Sequence, residues 1–574
     1  MPRREAVSER TPLLDPSDDI RSNVNENGEQ ARAGDASDSA KAPVPDADSD
    51  GSALERQTSL QVKNDGMPEV RKRMKYIFPA LAIGVFLSAA DQTIIVSSYG
   101  KIGSELHALN LTSWIATAYF LTLTSFQPLY GKLSDIFGRK ACILSGYFLF
   151  GIGCLLCGLA QDINQLIGAR AFAGIGGGGM TTVVSILLSD VVPLRERGTW
   201  QGYVNIIYAL GASAGAPLGG SLADSIGWRW AFLIQAPMCL AAFVAVSFAL
   251  HLPKMGDSHW REKLKRIDFL GALILIGAVF TLLLALDRGS NVSWRATITL
   301  VSLGISIPLF IVFILVEMYV ATEPFAPGHI IFNRTLFACY LCNFFAFAGW
   351  LAAIFYIPLY FQVVYNMTAT QAGLRLIPSI IAGVSGSLFA GFYMQRTGRY
   401  YWLTIIAYTT LVLGMIVITL VAPAGLNANV VVFIIIGLCM CGFSNGIGVT
   451  STLIGLIANA SKEDQAVATA CSYLFRSLGS VFGVAISATV ANQELRKYLA
   501  AELPKHHISE HRAVEIADRV RQSLEYLRQL KPEIQDVVRE GYSASIDAAF
   551  VVQIGLVAGA AFSAWLIKEK ALSR

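Results

Sequence analysis

Charge is scarce in this chain. Only 15% of its 574 residues are Asp, Glu, Lys or Arg, where a soluble domain carries about 25%. Hydrophobic residues make up 54%, and the mean hydropathy is +0.51. This shortage excludes an ordinary water-soluble fold and points to an all-α chain that crosses a bilayer many times. The formal net charge of +4 is too small to suggest a nucleic-acid partner. A phosphate-binding glycine loop, a nucleophile triad and a metal-ligand cluster are all missing, so no enzymatic activity, cofactor or metal is expected. Nine cysteines (142, 154, 157, 239, 339, 342, 439, 441 and 471) all fall in apolar segments, and read as small buried hydrophobes. Residues 1–75 are polar and nearly free of aromatics, so they are expected to be a disordered tail. With no apolar h-region there, the first hydrophobic helix is expected to act as the insertion signal.

What the chain does have is a series of apolar runs. A hydrocarbon core of about 30 Å needs about 20 helical residues. Runs of that size fall at 76–98, 113–131, 141–160, 165–189, 200–222, 229–251, 268–287, 297–320, 335–360, 370–394, 401–422, 430–457, 465–490 and 546–567, which makes fourteen. The short loops that follow even-numbered runs, and the segment before the first, are the richer in Lys and Arg: Arg71 to Lys75, Lys132 with Arg139 and Lys140, and Arg195 with Arg197. By the positive-inside rule both termini are cytosolic. Asn110, Asn291 and Asn366 then lie in lumenal sequons open to glycosylation, whereas Asn333 and Asn459 lie on the cytosolic side and should be bare. The long 491–545 segment is expected to be a lumenal loop, with RVRQSLEYLRQL an amphipathic helix inside it. In the tail, Glu9, Leu13 and Leu14 are spaced like an acidic dileucine sorting signal, which adaptor proteins read.

Three motifs carry a family resemblance. After the second run comes GKLSDIFGRK, with Gly131, Asp135, Gly138, Arg139 and Lys140. Its glycines permit a tight turn, and its charges can pair at a membrane face. The spelling and place resemble the signature loop of the major facilitator superfamily, and imply a gating role. A second copy, GFYMQRTGRY at 391–400, has Gln395 where the acidic residue is expected. The fourth run carries Arg170 and a glycine cluster, LIGARAFAGIGGGGM. The fifth carries GASAGAPLGG, with Gly211, Gly215, Pro217, Gly219 and Gly220, and resembles the helix associated with proton antiport; its proline stands one place later than in the common spelling. Close helix packing through small residues is required of these glycines in any case.

The resemblance implies the major facilitator fold: a six-helix bundle over 76–251, a 252–334 linker with two extra helices, and a second six-helix bundle over 335–567, then a short tail at 568–574. Fourteen runs resemble the fourteen-spanner drug:proton antiporter branch. DQTIIVSSYGKIGSEL and WRWAFLIQAP are most similar to fungal vacuolar basic amino-acid transporters.

The residue that most needs explaining is Asp91, a carboxylate inside the first apolar run. A charge at membrane depth costs several kcal/mol, so it must face a cavity or a partner. Three roles are open: a proton carrier, a site for a substrate cation, or a fixed ion pair with Arg170. Arg476 is expected either to hold a substrate carboxylate or to pack against helix ends. Tyr119, Asn343, Trp350 and Asn445 are candidates for the cavity wall or for helix–helix glue. The resemblance implies a secondary transporter that moves lysine, arginine and histidine into a vacuole in exchange for protons. A drug or toxin exporter, or an amino-acid sensor that does not transport, are the alternatives.

Overall fold

The computed structural model describes residues 68–95, 98, 102, 105, 106, 113–252, 268–291, 293–321, 328–367, 369–424, 428–506, 508, 512, 515, 516, 519, 520 and 524–572. The sorting residues Glu9, Leu13 and Leu14, the sequon residue Asn110 and the side chain of Asn291 lie outside them. Fourteen long helices follow one another, all from apolar stretches: α1 (Met74–Ile94), α2 (Ser113–Phe137), α3 (Arg139–Leu159), α4 (Ile163–Val191), α5 (Leu194–Ser225), α6 (Arg229–Ala249, with a single break at Ile234), α7 (Phe269–Asn291), α8 (Thr297–Tyr319), α9 (Arg334–Val363), α10 (Ile377–Thr397), α11 (Tyr401–Val421), α12 (Ala428–Asn459), α13 (Gln465–Glu502) and α14 (Pro532–Ala564). Thirteen are long and apolar enough to cross a membrane. The other, α2, is 25 residues long, is diluted by Thr, Ser and Gln, and packs inside the same bundle.

Helices α1–α6 form one bundle and α9–α14 the other, and the same device holds each together. In the first, Gly211, Gly215 and Gly219 of α5 face α1; a Cβ on Gly219 would stand 2.0 Å from the Ile94 carbonyl oxygen. In the second, Gly479 and Gly483 of α13 face α9, with 2.1 Å and 1.9 Å to the carbonyl oxygens of Phe344 and Ala348. Backbones can approach this closely only where the Cβ is missing. Pro217 lies inside an unbroken α5, exposed on the face away from α1. The two turns with the repeated motif also match, since Gly138 (φ 93°) and Gly398 (φ 69°) both take left-handed conformations that favour glycine. The extra helices cover one seam between the bundles: Leu275, Val279 and Leu283 of α7 cluster with Leu121 and Leu129 of α2 and Leu474 of α13, and Phe313 of α8 joins them.

Among its described residues, the segment expected as a long loop is mostly helical hairpin. Helix α13 does not stop at 490 but continues to Glu502, and α14 begins at Pro532 rather than 546. The reason is a continued stripe: Ala491, Leu495, Leu499 and Leu503 recur every four residues and pack with Val538 and Tyr542 of α14 in the core of the second bundle. Within the expected amphipathic helix, Leu524–Gln529 is helical, and Val520 and Leu527 are buried.

The short tail is tucked in as well. Leu572 N–H donates to the Gly398 carbonyl oxygen and Arg195 Nε donates to the Leu572 carbonyl oxygen, so the chain end touches both bundles.

Between α1 and α2, Glu105 is clasped by Arg229 and by Trp228 Nε1 at 2.7 Å. The hydrogen bond from Arg229, with that from Trp228, holds the Glu105 carboxyl below the usual glutamate range. A depressed value means that the clasp's stabilisation is full above the ordinary glutamate pKa and is lost only as pH falls through the folded value. The difference in thermal stability between wild type and Glu105→Gln should therefore stay constant from about pH 7 to about pH 5.5 and close below about pH 4. Melting curves across that range test it; a gap that closes between pH 7 and 5.5 contradicts the clasp.

Candidate functional site

The sequence-predicted residues separate into three places. The first lies inside the α1–α6 bundle. Asp91, in the last turn of α1, is 0% exposed, and Arg170 of α4 is 1% exposed. Arg170 Nη1 donates to Asp91 Oδ2 at 2.5 Å, and its Nε donates to the Ile115 carbonyl oxygen at 3.2 Å. Gln235 Nε2 of α6 donates to Asp91 Oδ1 at 3.2 Å. The guanidinium lies over the Tyr119 ring, 4.4 Å from its centroid, and Tyr119 is itself fully buried. Of the three roles open to Asp91, the geometry is that of the ion pair. Its charge is already neutralised and closed off, which leaves no room for a substrate cation in this conformation. The helical turn of 100° per residue explains the rest: Asp91 turns into its own bundle, and Gln92 turns out towards α5, where its Oε1 accepts from Tyr208 at 2.9 Å.

The second place is the turn between α2 and α3. Arg139 pairs with Asp135 at 2.6 Å and with Asp190, at the end of α4, at 2.7 Å. Lys140 Nζ donates to the Ser247 carbonyl oxygen of α6 at 2.7 Å. A Cβ on Gly131 would come within 2.6 Å of Ala470 on α13, so this turn sits where the bundles meet. Gln395 of the second motif accepts from Thr199 of α5 at 3.3 Å, a bond across the bundles in place of the expected acidic pairing.

At this same end a chain of hydrogen bonds runs across five helices. Tyr473 (α13) donates to Ser185 (α4) at 3.0 Å, and Ser185 donates to Gln201 (α5) at 2.7 Å. Gln201 Nε2 reaches Asn205 Oδ1 at 3.3 Å, and Asn205 Nδ2 donates to Ser387 (α10) at 2.8 Å. Ser387 shares a hydrogen bond with Thr450 (α12) at 2.6 Å. Sequence reasoning missed this chain. Its only signal was the spacing of Gln201 and Asn205, four apart and on one face of α5. Asp190 was missed too, because a polar residue just past an apolar run reads as a helix boundary, and so were Gln92, Tyr208 and Gln235, uncharged residues inside runs whose partners lie on other helices.

The third place is in the second bundle. Asn343 of α9 is 1% exposed and ties its helix to α12 and α13 through Thr452 (3.4 Å) and Ser472 (3.2 Å). Trp350 is 7% exposed, within the bundle core. In this conformation both are packed between helices. Asn445 is half-buried, with an unpartnered Oδ1. Arg476 stacks between Phe347 and Tyr473, 4.8 Å from each ring centroid, and is close enough to Tyr208 of the first bundle for its charge to act there. Among the sequons expected to be lumenal, Asn366 is exposed, in a left-handed conformation. Asn333 and Asn459 are engaged: one caps α9 through Thr335 N–H, and the other donates to the Tyr400 hydroxyl.

Residues 81–484 match the family model described as Major Facilitator Superfamily. The chain is 41% identical over 83% of its length to the "vacuolar membrane amino acid uptake transporter fnx2" of Schizosaccharomyces pombe, covering 81% of that protein. It is 38% identical over 85% of its length to the "multidrug resistance protein fnx1" of the same yeast, covering 91% of that relative. To the "vacuolar basic amino acid transporter 2" of Saccharomyces cerevisiae it is 33% identical, over 77% of this chain and 95% of that one. Among solved structures, a crystal structure of the human organic anion transporter MFSD10 aligns with a TM-score of 0.55 over 85% of this chain and 99% of the other; at 14% identity the likeness is one of fold.

Proposed function

We propose that this chain, which belongs to the Major Facilitator Superfamily and is a multi-pass membrane transporter rather than an enzyme, moves lysine, arginine and histidine from the cytosol into the vacuole in exchange for protons. The relatives named for vacuolar amino-acid transport support the substrate and the compartment. The observation that carries the mechanism is the asymmetry of the bundle contacts. The hydrogen-bond chain from Tyr473 to Thr450 and the tail contact at Arg195 tie the bundles at the end bearing the 131–140 turn. Tyr208, further along α5 and within reach of Arg476, remains 39% exposed. With the basic loops and both termini in the cytosol, this is the conformation with its cytosolic side shut. Rocking of the bundles about the space between them gives alternating access. The dileucine residues Glu9, Leu13 and Leu14 would direct sorting through adaptor proteins.

Proton coupling is assigned to Asp91. Protonation removes the charge that holds Arg170, and so loosens α1 from α4, the two helices this ion pair joins. The energetics suit the assignment. One pH unit is worth about 1.4 kcal/mol, and moving one positive charge against 100 mV costs about 2.3 kcal/mol. Exchanging one cationic amino acid for one proton cancels the electrical part, so the pH gradient alone drives accumulation.

The test is ATP-driven uptake of labelled lysine, arginine and histidine into vacuoles from cells that lack the protein, carry it, or carry Asp91→Asn. Uptake is expected to need the protein, to collapse with a protonophore and to vanish in the variant. Uptake that follows membrane potential but ignores pH would overturn proton exchange. The 38% identical multidrug relative supports a second reading, export of drug-like molecules. Amino-acid uptake indifferent to the protein, with drug sensitivity raised by its loss, would favour that one.

A further inference from the structure

Arg476 lies in the middle of the apolar stretch of α13, and no carboxylate among the described residues neutralises it. Its Nε is buried with no hydrogen-bond partner, and its guanidinium makes no ion pair among the described residues. Arg170, the other arginine deep within an apolar helix described above, has Asp91, the Ile115 carbonyl and the Tyr119 ring around it. An unpaired cation at membrane depth is costly unless it faces water or awaits an anion. Two further observations say that this one is held ready. Phe347 and Tyr473 flank the guanidinium at 4.8 Å each, which holds it in place while leaving its Nε–H without an acceptor among the described residues. Its neighbours on α13 bond across to the first bundle, Tyr473 to Ser185 and Ser477 to Gln127 of α2 at 3.0 Å each, so the arginine lies on the face where the bundles meet.

We propose that Arg476 anchors the carboxylate of the substrate. This deepens the reading of an amino-acid transporter and rests on it. A planar guanidinium matches a carboxylate with two parallel hydrogen bonds, which a point charge does not. The substrate's cationic side chain finds no such counterpart in Asp91, whose charge Arg170 has taken. Recognition is therefore set by the carboxylate that all amino acids share, and a basic molecule without one is a poor ligand. Tyr473 gives the anchor a mechanical link. Its ring lies on Arg476 while its hydroxyl donates to Ser185, the first bond in the five-helix chain that ties the bundles. A carboxylate that draws the guanidinium off that ring acts on the same side chain that holds the chain closed.

The test compares ligands that differ only in the carboxylate. With the full-length protein purified in detergent, thermal stabilisation by arginine, agmatine and arginine methyl ester is measured, and the same three compounds compete for arginine uptake into vacuoles. Arginine is expected to act at concentrations about 10- to 100-fold lower than agmatine or the ester, the range for a lost charge-assisted hydrogen bond. In Arg476→Gln that preference should vanish with the unliganded melting temperature kept, and Arg476→Lys should restore part of it. If Arg476→Gln fails to fold, Arg476→Lys carries the comparison, with a preference reduced but present. Agmatine acting as well as arginine on wild type, or a full preference surviving in the glutamine variant, overturns the anchor. The outcomes also separate this proposal from the one beneath it. If basic amino acids neither bind nor move, but neutral amino acids or dicarboxylates stabilise wild type and not Arg476→Gln, the substrate reading falls and the anchor stands. If no carboxylate in that panel distinguishes the two proteins, the anchor falls.

Discussion

Replacing Arg170 by methionine should destabilise the protein by about 3–5 kcal/mol, the cost typical of leaving one partner of a buried ion pair without the other. Asp91 is 0% exposed, so no water can reach it to replace the guanidinium without opening the bundle. Gln235 offers it one amide N–H at 3.2 Å, which is no substitute for a cation at 2.5 Å. The double variant Asp91→Asn with Arg170→Gln removes both charges, and should recover most of the loss, since a neutral hydrogen-bonded pair does not carry the desolvation penalty of two ions. Thermal unfolding of the four proteins in detergent closes the cycle. Costs that simply add would mean that the pair contributes little. Transport in the double variant then divides structure from coupling. If Asp91 is only a brace, uptake returns with stability. If it carries the proton, the double variant is stable and inactive.

Gly219→Leu should be the most damaging single change in α5. Even alanine would put a Cβ 2.0 Å from the Ile94 carbonyl oxygen, and at Gly215 it would lie 2.1 Å from Thr93 Oγ1 and 2.3 Å from the Ala90 carbonyl oxygen. Backbone atoms cannot swing aside as a flexible side chain can, so α5 must move off α1. Overpacking of this kind costs about 1–3 kcal/mol for a small addition and more for a large one. The functional loss should exceed the loss of stability, because α5 also carries Gln201, Asn205 and Tyr208. Gly168→Ala, where a Cβ meets nothing within 4 Å, is the matched control and should be neutral. Melting temperature and uptake, measured for Gly219→Ala, Gly219→Leu and Gly168→Ala, test the argument. A Gly219→Leu protein with wild-type uptake would refute it.

Particular residues show where the sequence was legible. The 131–140 turn was readable because Asp135, Arg139 and Lys140 cluster between two apolar runs, where charge has few other places to go. Its third partner, Asp190, was hidden at the end of another run, fifty-one residues from Arg139. The pairing of Asp91 with Arg170 was one of three open roles, because a sequence gives the position of a charge along a helix but not the angle at which the helix is seated. One residue's rotation decides whether Asp91 or Gln92 meets Arg170. The 491–502 extension escaped because hydropathy registers the hydrocarbon core, whereas Leu495 and Leu499 are buried against α14 beyond the expected span.

The sequence by itself determined that this chain lives in a membrane, how many times it approaches a full crossing, which loops are basic and which glycines must sit at helix contacts. Those follow from composition and local spacing, through the cost of exposing polar backbone to lipid. Only the tertiary structure decided which charges meet. It buried Asp91 against Arg170, set Arg476 between two rings with no carboxylate beside it among the described residues, and joined Tyr473 to Thr450 through side chains from five helices. These are contacts between residues tens to hundreds of positions apart. They depend on helix rotation and depth, which the packing of the bundles sets and no local pattern records.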